Sequence, residues 1–316
     1  MKYSVILPCF NEAHNIIETL PSLKKAVGVR QDIEIIVVDN GSTDESATLA
    51  RQFGAKVITC DRVTISTTRN IGARHGLGEY FYFLDIDIAV PEELFAVLDR
   101  FVDGKIHDVL GFVDLAPADS PWFAYTWSLR SLARREKYQP VEWLPGRNIF
   151  VPRTLFEQIG GFNEDLRTGE DKDFVFRLRQ AGAKVASDSH LLLQPLGYER
   201  TFGEWCRKEF WRQHSHLHLL VLQGIRPRLL RFPLLALFHV IFGGYFCFSV
   251  YSPAAFSPVF VIIWLLPSLA QTVAFRVSRM AGCRFPQFWV LFFLRFHIAG
   301  VAFLHELFQR CCQRGR

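Results

Sequence analysis

Tyr80-Phe81-Tyr82-Phe83-Leu84-Asp85-Ile86-Asp87 decides the fold of this chain. Five strand-forming apolar residues end in two carboxylates set one residue apart. An unbroken apolar run of this length reads as a strand buried on both faces, the mark of a parallel α/β sheet. Open sheets of that kind bind ligands beyond the C-terminal ends of their strands. Two hard oxygen donors in that place suit a divalent cation that itself grips phosphates. Taken alone, the same residues would also serve as a strand followed by a solvated acidic turn.

The flanking segments repeat the pattern. Apolar strands are expected at 3–7, 33–38, 56–59, 109–113 and 184–186. Helices are expected from Asn11-Glu12 and Asn15 to about residue 27, and from the cap Ser42-Thr43-Asp44-Glu45 to residue 53. Others fall at 66–75, 92–102, 121–138, 153–159 and 171–180. Strands alternating with helices of about ten residues predict an α/β fold with a doubly wound, mostly parallel sheet.

Composition divides the chain. Its 316 residues carry a net charge of +5, but residues 201–316 hold 13 Lys+Arg against three acids (Glu204, Glu209 and Glu306), a balance of +10. Residues 1–200 are therefore acidic. An acidic globular part followed by a basic, apolar part predicts a soluble domain attached to a membrane with an anionic surface. The basic residues flank apolar runs and do not line one polar helix face, which argues against a nucleic-acid partner. The seven cysteines are odd in number, irregular in spacing and without C-x-x-C, so free thiols are expected in place of disulfides or zinc.

Three organisational blocks follow: a catalytic domain over 1–200, an interfacial or linker helix over 201–228, and a membrane-associated region over 229–316. Runs 229–251 and 254–275 have the length of membrane spans. Run 288–308 is interrupted by Arg295, His297, His305 and Glu306, and reads as an interfacial or re-entrant segment. Arg226, Arg228 and Arg231 precede the first run, and Arg276, Arg279 and Arg284 follow the second. The positive-inside rule puts both flanks in the cytoplasm and the Ser252-Pro253 connector outside. The apolar stretch within residues 1–8 is too short for a signal peptide. The expected location is a cytoplasmic (cell inner) membrane, with the catalytic domain facing the cytoplasm.

Four polar constellations follow strands or open a helix: Pro8-Cys9-Phe10-Asn11-Glu12, Asp39-Asn40-Gly41-Ser42-Thr43-Asp44, Thr68-Arg69-Asn70-Ile71-Gly72 and Asp85-Ile86-Asp87. A fifth element runs through Gly146-Arg147-Asn148-Ile149-Phe150-Val151-Pro152-Arg153 to Ile159-Gly160-Gly161-Phe162-Asn163-Glu164, and then to Gly169-Glu170-Asp171. Singly, each could be a turn, a surface ion pair or an acidic helix start. In this order, over residues 3–200, they resemble glycosyltransferase family 2, whose members are inverting enzymes with the nucleotide-sugar-binding A-type fold.

The resemblance implies roles. Pro8, Glu12, Asp39, Arg69 and Asp85 would line the nucleotide-sugar pocket, with Glu12 at the ribose and Asp39 at the base. Asp85 and Asp87 would hold Mg2+ or Mn2+, which stabilises the departing nucleoside diphosphate. Asp171 would be the general base for an acceptor hydroxyl, with Glu170 beside it. Arg207, Lys208 and Arg212 in a basic, aromatic segment could meet the diphosphate, or could lie with Trp205 and Trp211 at a lipid surface. The Gln-x-x-Arg-Trp motif of processive polysaccharide synthases is missing, which favours transfer of a single sugar. His214, His216 and His218 lack partners at metal-ligand spacing.

The expected function is metal-dependent transfer from a nucleotide sugar, UDP-sugar by default, to a lipid-linked or polyprenyl-linked glycan. Transfer to a polyprenyl phosphate and a catalytically silent membrane scaffold are the alternatives. A nucleotidyltransferase is disfavoured, because the chain has no Gly-rich, Lys-containing phosphate loop near its N-terminus.

Overall fold

The computed structural model describes residues 1–133, 137–213, 227–252, 256–274 and 284–314. Arg134, Arg135, His214, His216, His218, Arg226, Pro253, Arg276, Arg279 and Cys283 lie outside them. The chain forms two compact units. One holds Met1–Pro117 and Arg134–Tyr198, and the other Ala118–Ala133 and Glu199–Arg316.

The first unit is built on β1 (Tyr3–Cys9), β2 (Ile33–Asp39), β3 (Lys56–Thr59), β4 (Tyr80–Leu84), β5 (Ile88–Ala89), β6 (Val109–Asp114), β7 (Gln139–Pro140), β8 (Asn148–Pro152) and β9 (Val185–Pro195). Their order is β3-β2-β1-β4-β8-β6-β9-β5, with β7 also on β9. Strands β3, β2, β1 and β4 are parallel, as their apolar runs predict. The second half is mixed, because β8 enters antiparallel between β4 and β6.

Both faces of the sheet are covered. Tyr82 and Leu84 of β4 join one core with Leu20 and Leu23 of α1 (Ala13–Val27) and Phe95 and Leu98 of α4 (Leu94–Gly104). Phe81 and Phe83 point the other way. They pack with Phe156 of α6 (Arg153–Gln158), with Phe162, and with Phe174 of α7 (Glu170–Gln180). Alternation along one strand thus feeds two cores, which is why β4 is apolar at every position.

Helix α2 spans Ser46–Gln52 and starts later than its Ser42–Glu45 cap predicts. The reason lies in the hydrogen bonds. Ser42 Oγ accepts from the Asn11 N–H at 2.9 Å, and Asp44 Oδ2 accepts from the Ala13 N–H at 3.1 Å. The second loop therefore caps α1 and ties the two strand ends together. Helix α3 (Ile65–His75) is capped by Thr64, whose side chain accepts from the Thr67 N–H. It lies close on β1 and β2 at Gly72. A Cβ there would stand 2.3 Å from Ile6 Cγ2 and 3.1 Å from Val38 Cγ2.

In the second unit, the helix expected over 121–138 is α5 (Trp122–Ser128) followed by a 3-10 turn, Leu129–Ala133. Then come α8 (Phe202–Arg212), α9 (Pro227–Tyr251), α10 (Pro258–Ala274) and α11 (Phe285–Arg314). The 17 residues of α10 rise only about 26 Å, short of the roughly 30 Å of a bilayer core. Run 288–308 lies instead within the unbroken helix α11. By length and composition, two described helices could cross a membrane, Leu230–Tyr251 and Phe285–Gln309.

The α3–sheet approach has a direct test. Gly72→Ala should destabilise the protein by about 1–3 kcal/mol, because the added methyl overlaps Ile6 in a closed core. A chemical-denaturation midpoint equal to wild type would show that the helix can move away at no cost.

Candidate active site

The C-terminal ends of β1, β2 and β4 bring three of the polar constellations to one edge of the sheet. Pro8 sits within β1 opposite Val38, and Cys9 pairs with Asp39. Asp39 is buried, and its Oδ1 accepts from the Ser42 N–H at 3.2 Å. Glu12 stands at the entrance to α1, where its Oε2 accepts from Asn15 Nδ2 at 2.6 Å. Burial, and then the charges of Asp87 and Asp85, raise the Glu12 carboxyl above its ordinary value against the opposing Asn15 hydrogen bond.

Arg69 connects this edge to α7. The residue is only 2% exposed. Its Nη2 donates to Asp85 Oδ1 at 3.0 Å and its Nη1 to Glu170 Oε1 at 2.9 Å. The guanidinium also lies 5.3 Å from the Phe162 ring centre. Asn70, the next residue of α3, clasps the loop after Gly160-Gly161. Its Oδ1 accepts from the Phe162 N–H and its Nδ2 donates to the Phe162 carbonyl, both at 2.9 Å.

Glu170 and Asp171 open α7 but face different surroundings. Glu170 is buried beside Arg69. Burial raises its carboxyl above the ordinary value, with Asp171 adding to the rise and Arg69 opposing it. Asp171 is partly exposed. Its Oδ2 accepts from the Gly146 N–H at 3.1 Å and its Oδ1 from the Lys172 N–H at 2.7 Å. Adjacent acids are thereby set apart, one paired and covered, the other held by two backbone donors with access to solvent.

Asp87 follows β4 and lies against Gly197, where a Cβ would come within 2.1 Å of Asp87 Oδ2. Only a glycine leaves that carboxylate its place. Asp85 and Asp87 carry the hard oxygen donors that Mg2+ or Mn2+ takes, and each lies against an arginine here. Among the described residues no group of three or more His, Cys, Asp or Glu stands at metal-binding distance. A cation here would therefore complete its shell from water or from substrate phosphates.

Residues 4–160 match the model of glycosyl transferase family 2. The chain belongs to this family. It is a glycosyltransferase, and similar proteins agree. The glycosyltransferase AglE of Haloferax volcanii is 26% identical over 234 residues, which cover 71% of this chain and 76% of that protein. Other curated relatives are spanned over 51% to 57% of their length. The mannosyltransferase PcManGT from Pyrobaculum calidifontis, solved with GDP-Man and Mn2+, superposes with a TM-score of 0.65 at 18% identity. It covers 95% of this chain and 86% of its own. Residues 1–349 of TarS from S. aureus, solved with UDP-GlcNAc, superpose with a TM-score of 0.51 at 20% identity, over 69% of this chain and 67% of theirs. At these identities the superpositions establish the fold, an A-type glycosyltransferase fold.

Two residues of this glycosyltransferase's site were not singled out in the sequence. Arg147 Nη1 donates to Asp114 Oδ2 at 2.6 Å, and its Nη2 lies 3.6 Å from Asp87 Oδ1. Asp114 ends β6, which runs parallel to β4, so the rule that flagged Asp85 could have flagged it. Its strand lacked a second polar residue to draw notice.

The α8 residues belong to the second unit. Arg212 donates to Glu209 at 2.7 Å and to Glu199 at 2.8 Å, and Lys208 pairs with Glu204 at 3.5 Å. Arg207 is exposed. Trp205, expected as one anchor at a lipid surface, is instead fully buried against Trp127, with ring centres 5.5 Å apart. Trp211 is exposed.

Two measurements probe these contacts. Arg69→Met leaves the buried Glu170 carboxylate without its cation and should cost about 3–5 kcal/mol in chemical denaturation. Glu12→Gln tests the raised carboxyl. A carboxyl raised on folding contributes stability that is present at acid pH and is lost as pH rises through the raised value. The Gln variant should therefore melt above wild type at neutral pH, with the gap closing toward the ordinary Glu range. A gap independent of pH would contradict that rise.

Proposed function

We propose that this enzyme moves a single sugar from a nucleotide-sugar donor to a hydroxyl of a membrane-linked acceptor, a lipid or a polyprenyl-linked glycan, with inversion. The observation that carries this reading is the continuous chain Asp85–Arg69–Glu170, with Asp171 next in sequence. Its two direct hydrogen bonds bring Asp85, one of the proposed cation ligands, to Glu170, the neighbour of the proposed base. UDP-sugar is the favoured donor.

In this reading Asp39 and Glu12 hold the base and the ribose of the nucleoside, and Pro8 shapes the floor beneath them. Asp85 and Asp87 hold Mg2+ or Mn2+, which would neutralise charge on the leaving diphosphate. Asp171 Oδ takes the proton of the acceptor hydroxyl as that oxygen attacks the anomeric carbon. The new C–O bond forms opposite the bond that breaks, and the nucleoside diphosphate leaves with that electron pair. Asp171 fits the base better than Glu170 because its carboxylate keeps solvent access, while Glu170 is committed to Arg69 and acts as a positioning residue. Of the α8 cations proposed for the diphosphate, Arg207 is exposed and Arg212 is already held by two carboxylates.

The apolar helices support a membrane location. Of the helix windows that could cross a bilayer, only 17% of Leu230–Tyr251 and 39% of Phe285–Gln309 is covered by protein. The cores of soluble proteins cover such helices almost completely. A catalytic unit on the cytoplasmic side would meet both soluble donor and lipid-linked acceptor.

Asp171→Asn should lower kcat by about 100- to 10,000-fold while nucleotide binding stays near wild type. A phosphate acceptor is already ionised and needs no base. Near-normal turnover of the Asn variant would therefore replace the hydroxyl acceptor with a polyprenyl phosphate. Lack of any Mn2+-dependent binding of nucleotide sugars would overturn the reading as a whole.

A further inference from the structure

Arg147 stands between two carboxylates at unequal distance. It makes a full hydrogen bond to Asp114 at 2.6 Å, and its approach to Asp87 at 3.6 Å is an ion-pair contact too long for one. The side chains of Asp87 and Asp114 are 22% and 15% exposed, so both charges are largely shielded from water. The backbone around them is fixed. The Asp85 N–H donates to the Arg147 carbonyl at 2.9 Å, and the Asp87 carbonyl accepts from the Leu196 N–H at 2.7 Å. A pinned main chain thus carries a guanidinium with two anionic seats.

We propose that Arg147 is a resident counter-ion that competes with the divalent cation for Asp87, with Asp114 as its alternative seat. The inference rests on the proposed role of Asp87 as a cation ligand. Two positive centres on one carboxylate repel each other, more strongly where water is scarce. When a cation binds, the guanidinium would settle wholly on Asp114, so that neither charge is left covered and unpaired. Without a cation, Arg147 spares Asp87, Asp85 and Glu12 part of their mutual repulsion. The consequence is a site that holds a bare cation weakly. A diphosphate adds negative charge and would tip the competition, so donor and cation would bind together.

The test is Mn2+ binding to the full chain in detergent, without nucleotide, followed by the electron paramagnetic resonance signal of free Mn2+. Arg147→Gln should tighten binding by about three- to tenfold. Arg147→Lys keeps the charge and should stay near wild type. Asp114→Asn removes the alternative seat and should weaken binding by a similar factor. That loss should largely vanish in the Arg147→Gln background. Unchanged or weaker binding in Arg147→Gln would overturn the inference and leave Arg147 a structural brace. So would an Asp114→Asn loss of equal size in both backgrounds, which would mark a general field effect. If Arg147→Gln fails to fold, Arg147→Lys and Asp114→Asn still decide. A weaker Lys variant, or an unaffected Asn variant, overturns the competition. Asp87→Asn separates the two readings. Loss of Mn2+ binding there with no gain in Arg147→Gln sinks only the inference. Binding that survives Asp87→Asn sinks the cation assignment as well.

Discussion

The site depends on one buried guanidinium. Arg69 is nearly inaccessible to water and holds Asp85 on one side and Glu170 on the other. Those acids come from the end of β4 and the start of α7, separated by 85 residues of chain. Without the cation between them, two carboxylates would sit in a poorly solvated place and repel. Arginine suits the task because its planar fork reaches two acceptors at fixed angles, which a lysine ammonium cannot do. The geometry also requires α3 to lie flush on the sheet. Gly72 permits that approach, and Thr64 fixes where the helix begins. Gly146 packs directly on the guanidinium, with a hypothetical Cβ 3.1 Å from Nη1. The same residue donates its N–H to Asp171. One arginine thereby organises the end of β4, the start of α7 and the loop that carries Gly146.

The balance of charge on this edge explains the chemistry better than any single residue. This edge carries Glu12, Asp39, Asp85, Asp87, Asp114, Glu170 and Asp171, of which Arg69 pairs with Asp85 and Glu170 and Arg147 with Asp87 and Asp114. A nucleoside diphosphate is itself anionic and would be repelled by such a surface. A divalent cation reverses the sign where the phosphates would lie, which is the physical reason to expect one. Burial raises the Glu12 and Glu170 carboxyls, and neighbouring acids add a smaller part of each rise. Sites that carry unsatisfied charge of one sign are strained without their ligands, and such strain is common where a ligand is meant to relieve it.

Most of the first unit was legible in the sequence because its parallel strands are unbroken apolar runs ending in polar residues. Strands β1 to β4 and β6, and helices α1, α3 and α7, fall where periodicity puts them, within a few residues. The misses have physical causes. Strand β8 is five residues long, ends in proline and joins the sheet antiparallel, so no local signal separates it from a loop. Strand β9 runs for eleven residues where only three were expected, because Ser187, Asp188, Ser189 and His190 break its apolar pattern at a register shift. Helix α2 begins late because its apparent cap serves α1. Among site residues, Asp114 escaped notice and Arg147 was read only as part of the Gly146–Arg153 element, because their pairing is non-local. No spacing rule links a strand end to a residue 33 positions later.

The second unit shows how an apolar helix tolerates charge. Arg295 and Glu306 interrupt the run that became α11, and the sequence read those interruptions as grounds against a span. The structure gives Arg295 a partner. Its Nε lies 3.2 Å from Glu209 Oε2, and its guanidinium packs over the rings of Phe232 and Trp127. Glu209 in turn accepts from Arg212 and from Trp127 Nε1. Its carboxylate, only 2% exposed, thus satisfies three donors and ties α5, α8 and α11 together. Charges that membrane helices do carry are generally paired inside the bundle in this way. Hydropathy alone counts Arg295 against a membrane helix. The pairing weakens that objection, because Arg295 meets a carboxylate and two aromatic rings within its own unit.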